Sequence, residues 1–325
     1  MGGENVIVVP DDFPAALAGI PAHARLQTLG RVTHYETRAA DAAELARRIA
    51  GAAVVVNIRA YSKFTADLLA GCPTLRLISV WGAGTDHVDL EACRRLGVAV
   101  TSTPGANALA VAEHTLALML AAARQIPPLD RGTREGKWPR GLGVQLHGKT
   151  LGIVGLGAIG RQVAAMARGL GMRVVAWTYH PDPDLAARLG VELMDFERVL
   201  GEADVLSVHL RQTRETTGLI GAREIARMKR GAILVNTARG PIVSRDALVE
   251  ALRGGHLGAA ALDVFDVEPV PPEDPLLTVP NAILTPHCAG MVPEAILAGL
   301  NAAVDNVAHF LAGRPAAYVV PPPAP

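Results

Sequence analysis

"TLGIVGLGAIGRQVAAMARGLGMRVVAWT", Thr150–Thr178, decides the fold. An apolar run leads into Gly155, Gly157 and Gly160, spaced G-x-G-x-x-G. An amphipathic stretch follows, and the apolar run "RVVAWT" closes a strand–helix–strand unit. A glycine-rich turn alone is a weak signal; in this context it reads as a dinucleotide site. The first glycine makes the tight turn, the second lets the backbone approach a pyrophosphate, and the third lets helix pack on strand. The pyrophosphate would rest on the helix N-terminus, where free N–H groups and the dipole favour anions. Gly155, Gly157, Ala158, Ile159 and Gly160 are therefore candidate cofactor-binding residues.

Around this unit, short β-rich runs alternate with helical patterns. Downstream, "DVLSVHL", "AILVNT", "AALDV" and "NAILT" read as further strands, separated by helices such as "SRDALVEALRGG". Upstream, "NVIVV", "AVVVNI", "LRLISV" and "VAVTS" form an earlier series, with helices such as "DAAELARRIA", where Asp41 and Glu44 make an N-cap pair. Such alternation predicts parallel sheets covered by helices on both faces, an α/β fold of two doubly wound domains. A long helix from about Asn107 to Arg124 would join them, and a last helix, about Pro293 to Ala312, would return to the first domain. The tail "PPPAP" is expected to fray.

The chain of 325 residues suffices for two cores, and 31 basic residues balance 31 acidic ones without a long run of either sign. This speaks against nucleic acid or a membrane surface as partner. Cys72, Cys93 and Cys288 show neither metal spacing nor a disulfide framework, which leads us to expect no metal and a cytoplasmic location. "MGGENVIVVP" lacks the basic flank and long apolar core of a signal peptide, and "ALAVAEHTLALMLAAA" is too short to span a bilayer.

The second strand of the nucleotide unit ends on Thr178, where an acid ordinarily holds the adenosine ribose diol. No Arg or Lys follows; His180, Asp182 and Asp184 do. The sequence leaves NAD(H) and NADP(H) open, with a lean to NAD(H) because the two aspartates would repel a 2′-phosphate.

Three ionisable residues sit at or just past the ends of late strands. Arg239 closes "LVNTARGP", Glu268 follows "ALDVFDVEP", and His287 ends "ILTPHCAG". Each has an ordinary reading as a paired or solvated loop residue. Together, beyond the carboxyl ends of successive strands, they read as a catalytic group, because open α/β sheets bind ligands there. A histidine titrates near neutral pH and can supply a proton, a carboxylate can fix the imidazole's tautomer, and an arginine fork can grip a carboxylate and polarise a carbonyl.

"GLGAIGR", "NTARG", "DVFDVEP" and "TPHCAG" in this order, with "GAGTDHVDLEA" and "NALAVAEH" before them, resemble the D-isomer-specific 2-hydroxyacid dehydrogenases. The resemblance runs from about Val54 to the last helix. It implies a flavodoxin-like substrate domain (1–102 and 291–325) interrupted by a Rossmann cofactor domain (103–290), with the active site in the cleft between them. It implies that Arg239 binds the substrate carboxylate and carbonyl, that His287 is the acid/base and that Glu268 is its partner. It further implies that amides of Gly82, Ala83 and Gly84 hold the carboxylate, that Asn107 lines the hinge and that Asp263 contacts the nicotinamide carboxamide. The expected enzyme is an NAD(P)-dependent D-2-hydroxyacid dehydrogenase, or 2-ketoacid reductase, and a homodimer. Its substrates would be small acids such as glyoxylate or hydroxypyruvate.

Some residues depart from subgroups of the family. Phosphoglycerate dehydrogenases carry an arginine just before the glycine-rich loop, where this chain has Val80; Arg59 matches another of their basic residues. No further domain is expected after the returning helix, which disfavours 3-phosphoglycerate. Glu268 stands where formate dehydrogenases use glutamine. Trp81 would either wall the pocket or simply pack, and Arg211 would lie near the adenine edge or in solvent. His114 reads as a satisfied helix histidine, and nothing marks Cys288 as a nucleophile. The competing reading is a non-catalytic regulatory protein of the same fold, like the corepressors that share these residues. Another is a different dehydrogenase chemistry on the same Rossmann unit.

Overall fold

A computed structural model describes residues 5–323; the end of the "PPPAP" tail and the first four residues lie outside them. The chain forms two compact units. One takes in the chain up to Asn107 together with the chain from Val292 on; the other is Ala108–Met291.

The first unit is built on β1 (Val6–Val9), β2 (Arg31–His34), β3 (Val54–Asn57), β4 (Leu77–Val80) and β5 (Ala99–Thr101). These run parallel in the order β2-β1-β3-β4-β5, the flavodoxin-like arrangement. The second unit holds β6 (Thr150–Val154), β7 (Arg173–Trp177), β8 (Glu192–Leu193), β9 (Val205–Val208), β10 (Ile233–Asn236), β11 (Ala259–Leu262) and β12 (Ala282–Leu284). Its order, β8-β7-β6-β9-β10-β11-β12, is the Rossmann order with one strand added. The last strand of the chain, β13 (Tyr318–Val320), joins the first sheet antiparallel to β5.

Alternate residues of the central strands enter different cores, as period two demands. Val54 and Val56 belong to one apolar cluster and Val55 to another. Ile233 and Val235 likewise separate from Leu234. Each sheet is thus covered on both faces, as the apolar runs predict.

The helix Asp41 was expected to cap spans Ala42–Ile49; Asp41 accepts the Glu44 N–H at 2.7 Å and Glu44 reaches back to the Ala40 N–H at 2.7 Å. The returning helix, Pro293–Leu311, packs on β3 and β4, and Ser79 Oγ donates to the Ala303 carbonyl at 2.9 Å. The helix expected to join the domains spans Ala108–Ala123 and is part of the second unit, packed on β10, β11, β12 and helix Ala158–Gly169. Thr103–Asn107 group with the first unit rather than the second because Thr103 Oγ1 and N–H both bond Gly82, at 2.7 and 2.9 Å. Among the described residues, no helix is long and apolar enough to cross a membrane.

Candidate active site

The glycine motif has the shape its spacing predicts. Gly155 takes φ 103°, and a Cβ there would lie 2.7 Å from the His209 carbonyl oxygen. Gly157 caps helix Ala158–Gly169, and a Cβ on it would meet nothing within 4 Å, so the helix N-terminus beside Ala158 and Ile159 can be approached. A Cβ on Gly160 would fall 2.3 Å from the Gly155 carbonyl oxygen, because the helix packs tightly on the turn. Thr178 follows directly on the end of β7 and is half-buried.

Past the carboxyl ends of β10, β11 and β12, three adjacent strands, come Arg239, Glu268 and His287. The "NTARGP" turn is shaped by Asn236. Its side chain donates to the Arg239 carbonyl at 2.9 Å and accepts the Ala238 N–H at 3.0 Å. A Cβ on Gly240 would lie 2.1 Å from the Phe265 carbonyl carbon. Only glycine lets this turn lie on the segment that leads to Glu268.

Glu268 Oε1 accepts the Phe265 N–H at 3.0 Å, and Oε2 meets His287 Nδ1 at 2.6 Å. Burial pushes the Glu268 carboxyl up, but the hydrogen bond and charge of His287, the Phe265 amide and the charge of Arg239 outweigh it. The group sits below the usual carboxylate range. An ionised Glu268 fixes the imidazole through Nδ1, and Nε2 makes no hydrogen bond among the described residues. The Arg239 charge acts on Glu268, so all three residues form one electrostatic group.

His287 takes φ 51°, a left-handed conformation that a non-glycine residue holds only when its surroundings impose it. Asp263 imposes it. This carboxylate, 1% exposed, accepts the N–H groups of Cys288 and Ala289, each at 2.9 Å, and the Thr285 hydroxyl at 2.6 Å. His114 Nε2 bonds Thr285 Oγ1 at 3.0 Å. The carboxylate for which the resemblance implies a nicotinamide contact also holds the loop that carries His287. His114 is hydrogen-bonded, as a helix histidine among apolar residues should be, but the sequence did not reveal that it braces this loop.

His114, Asp263 and Cys288 also bring one potential metal ligand atom each within 4.8 Å of one another. The Asp263 oxygens already accept three hydrogen bonds. Burial and the Asp263 charge push the Cys288 thiol up, away from the thiolate that a metal or a nucleophilic role needs. The trio therefore reads as a brace. Asp263→Asn would turn an amide N–H₂ toward donors. It should destabilise the protein by about 1–3 kcal/mol, the usual result of an unmet buried donor. A urea unfolding midpoint equal to wild type would show that Asp263 does not hold the loop.

In the first unit, the loop Gly82–Ala83–Gly84 follows β4 and is half-buried. The Gly82 N–H is used by Thr103 Oγ1 at 2.7 Å. The resemblance's set of three carboxylate-holding amides therefore narrows to Ala83 and Gly84, whose N–H groups make no hydrogen bond among the described residues. Asn107, half-buried, immediately precedes helix Ala108–Ala123. Trp81 packs against Gly299, where a Cβ would lie 1.9 Å from the indole nitrogen.

Residues 116–289 match the family domain described as "D-isomer specific 2-hydroxyacid dehydrogenase, NAD binding domain". The chain belongs to the D-isomer-specific 2-hydroxyacid dehydrogenase family. It is 44% identical to a glyoxylate reductase of Aeropyrum pernix over 257 residues, 76% of this chain and 77% of that protein. It is 40% identical to a D-3-phosphoglycerate dehydrogenase of Archaeoglobus fulgidus over 274 residues, 84% of this chain but 52% of that protein, so it spans about half the length of that relative. The crystal structure of a D-lactate dehydrogenase from Aquifex aeolicus complexed with NAD and lactic acid superposes with a TM-score of 0.87. The two are 28% identical, over 98% of this chain and 100% of that one.

Proposed function

We propose that this protein is an NAD(P)-dependent D-2-hydroxyacid dehydrogenase that works as a reductase of small 2-keto acids. The observation that carries the proposal is the His287–Glu268 pair at 2.6 Å, inside the field of Arg239 and past the ends of three adjacent strands of a Rossmann unit. In this reading the nicotinamide supplies the hydride when bound, and the protein supplies position and a proton. Arg239 grips the substrate carboxylate and polarises its carbonyl. His287 Nε2 delivers the proton to the carbonyl oxygen, and Glu268 stabilises the imidazolium before it gives the proton up.

Glyoxylate and hydroxypyruvate fit this site better than 3-phosphoglycerate. Arg59, the one basic residue that matches the phosphoglycerate subgroup, is 8% exposed. Its guanidinium donates to the Pro14 carbonyl, stands 3.7 Å from Asp12 and lies over the Trp81 ring at 5.7 Å. Its charge is already answered within the unit. Steady-state assays of the purified protein with NADH and NADPH against a panel of 2-keto acids test the proposal. Turnover of glyoxylate or hydroxypyruvate well above that of 3-phosphohydroxypyruvate is the expected result, and no turnover of any 2-keto acid would overturn it.

The working unit is proposed to be a homodimer built on the second unit. After helix Ala108–Ala123 the chain forms helix Ile126–Arg134 and then an irregular arm. Along this stretch Leu109, Ile126, Trp138 and Leu142 are exposed, the last two at 72% and 95%. Apolar side chains concentrated in one segment in this way mark a surface that another protein covers. Light scattering at micromolar protein should give twice the 33.9 kDa chain mass. A monomer mass would refute the dimer.

A further inference from the structure

We infer that Arg198 recognises the 2′-phosphate of NADP(H) in a cavity beside Thr178, so that this site takes NADP(H) in preference to NAD(H). The inference rests on the cofactor reading above and reverses the lean to NAD(H) drawn from Asp182 and Asp184.

The cavity has a volume of about 360 Å³ and is lined by Trp177, Thr178, Pro181, Met194, Asp195 and Arg198, among others. It opens past the carboxyl ends of β7 and β8, which are paired in parallel through Ala176 and Leu193. The Gly155 N–H donates to the Trp177 carbonyl at 2.8 Å. This ties the glycine turn, where the pyrophosphate would sit, to the strand end beside the cavity. In this fold the ribose diol of the cofactor lies at that strand end. A side chain lining this cavity therefore faces the ribose 2′-position.

The sequence places Arg198 far from the usual determinant. It lies 20 residues beyond Thr178, on helix Phe196–Glu202 after β8. Packing brings it back. The Trp177 ring lies 4.9 Å from the Phe196 ring and 4.7 Å from the Tyr179 ring. The Met194 N–H donates to the Ala176 carbonyl at 2.9 Å. These contacts hold the start of the helix against the end of β7, and Arg198 is two residues along.

Arg198 is the one cationic side chain among the described residues that line the cavity. Arg198 Nη2 donates to Glu202 at 3.0 Å, and Glu202 is shared with Arg173 at 2.7 Å. The other donors of Arg198 have no partner among the described residues. An arginine fork suits a phosphate monoester. Thr178 brings no charge to repel one. Asp182 accepts the Leu185 N–H at 2.9 Å and caps helix Pro183–Leu189, and neither Asp182 nor Asp184 lines the cavity. Asp195 is the one acid that lines the cavity and opposes the phosphate.

Calorimetry with adenosine 2′,5′-bisphosphate and with 5′-AMP tests this, because the two differ only in the 2′-phosphate. Wild type should bind the bisphosphate more tightly. Arg198 is 63% exposed, so solvent screening limits its worth, and Arg198→Ala should weaken bisphosphate binding about tenfold while 5′-AMP is unaffected. Asp195→Asn should tighten the bisphosphate alone, and Thr178→Asp should weaken it alone. The ratio of kcat/KM for NADPH to that for NADH should move the same way in each variant. If 5′-AMP binds and the 2′-phosphate adds nothing, or if Arg198→Ala weakens both ligands alike or neither, the assignment of Arg198 falls while the cofactor reading stands. If neither nucleotide binds wild type, both fall.

Discussion

Arg239→Ala should lower kcat/KM for 2-keto acids by several orders of magnitude and leave the affinity for nicotinamide cofactor nearly unchanged. The turn that carries Arg239 is held on both sides of the residue. Asn236 pins its carbonyl, and Gly240 lets the backbone lie against Phe265. A guanidinium fork in such a place holds a carboxylate by two parallel hydrogen bonds and so orients the carbonyl carbon for hydride. Losing it removes both the grip and the polarisation, roughly 4 kcal/mol or more of transition-state stabilisation, or about a thousandfold. Arg239→Lys keeps the charge but not the fork, and should recover only a small part of the loss. Steady-state kinetics for the 2-keto acid and fluorescence titration of cofactor separate the two effects. A variant with wild-type kcat/KM would remove Arg239 from the mechanism. One that has lost cofactor binding would make it a structural residue.

The strands easiest to read from sequence are those buried on both faces. β3, β4, β9 and β10 are runs of four residues without an exposed position. The three that escape reading are all edge strands: β2 and β13 of the first sheet and β8 of the second. "RVTH" is at most half-buried, "EL" is two residues long, and "YVV" is a short antiparallel addition next to prolines. An edge strand has one paired neighbour and less surface to bury, so these three carry only short or half-exposed runs, whereas β12, also at an edge, is marked by its apolar "AIL".

The same division runs through the site. Arg239, Glu268 and His287 stand out because charged or polar groups at the ends of apolar strands need a reason. The brace under His287 does not stand out. His114 and Thr285 are 171 residues apart and meet only because helix Ala108–Ala123 packs under β12. Arg198 is hidden for the same reason, since the Phe196–Trp177 contact that brings it to Thr178 is a product of packing. Local motifs report the residues proposed to touch reactants. What holds those residues in place comes from distant parts of the chain.

His287→Ala should slow turnover about a hundred- to ten-thousandfold, the usual worth of general acid–base catalysis, and affect cofactor affinity far less. The structure adds a second, independent readout in Glu268. Burial alone would raise this carboxyl, and it lies below the ordinary range only because the His287 hydrogen bond and charge, with Phe265 and Arg239, oppose burial. Removing His287 takes away the largest of the opposing influences, so the Glu268 carboxyl must rise. In wild type its contribution to stability is present at neutral pH and is lost as pH falls through the lowered folded-state value. In His287→Ala the folded-state value moves toward or past the unfolded one, so this acid-side loss should shrink, and the stability of the variant should fall less on the acid side than that of wild type. Carboxyl NMR titration of both proteins, with Glu268→Gln to assign the signal, measures the shift directly. An unmoved Glu268 titration would mean that the 2.6 Å contact does not govern its charge. A variant with near wild-type turnover, with hydride transfer shown to be rate-limiting, would take the proton donor's role from His287.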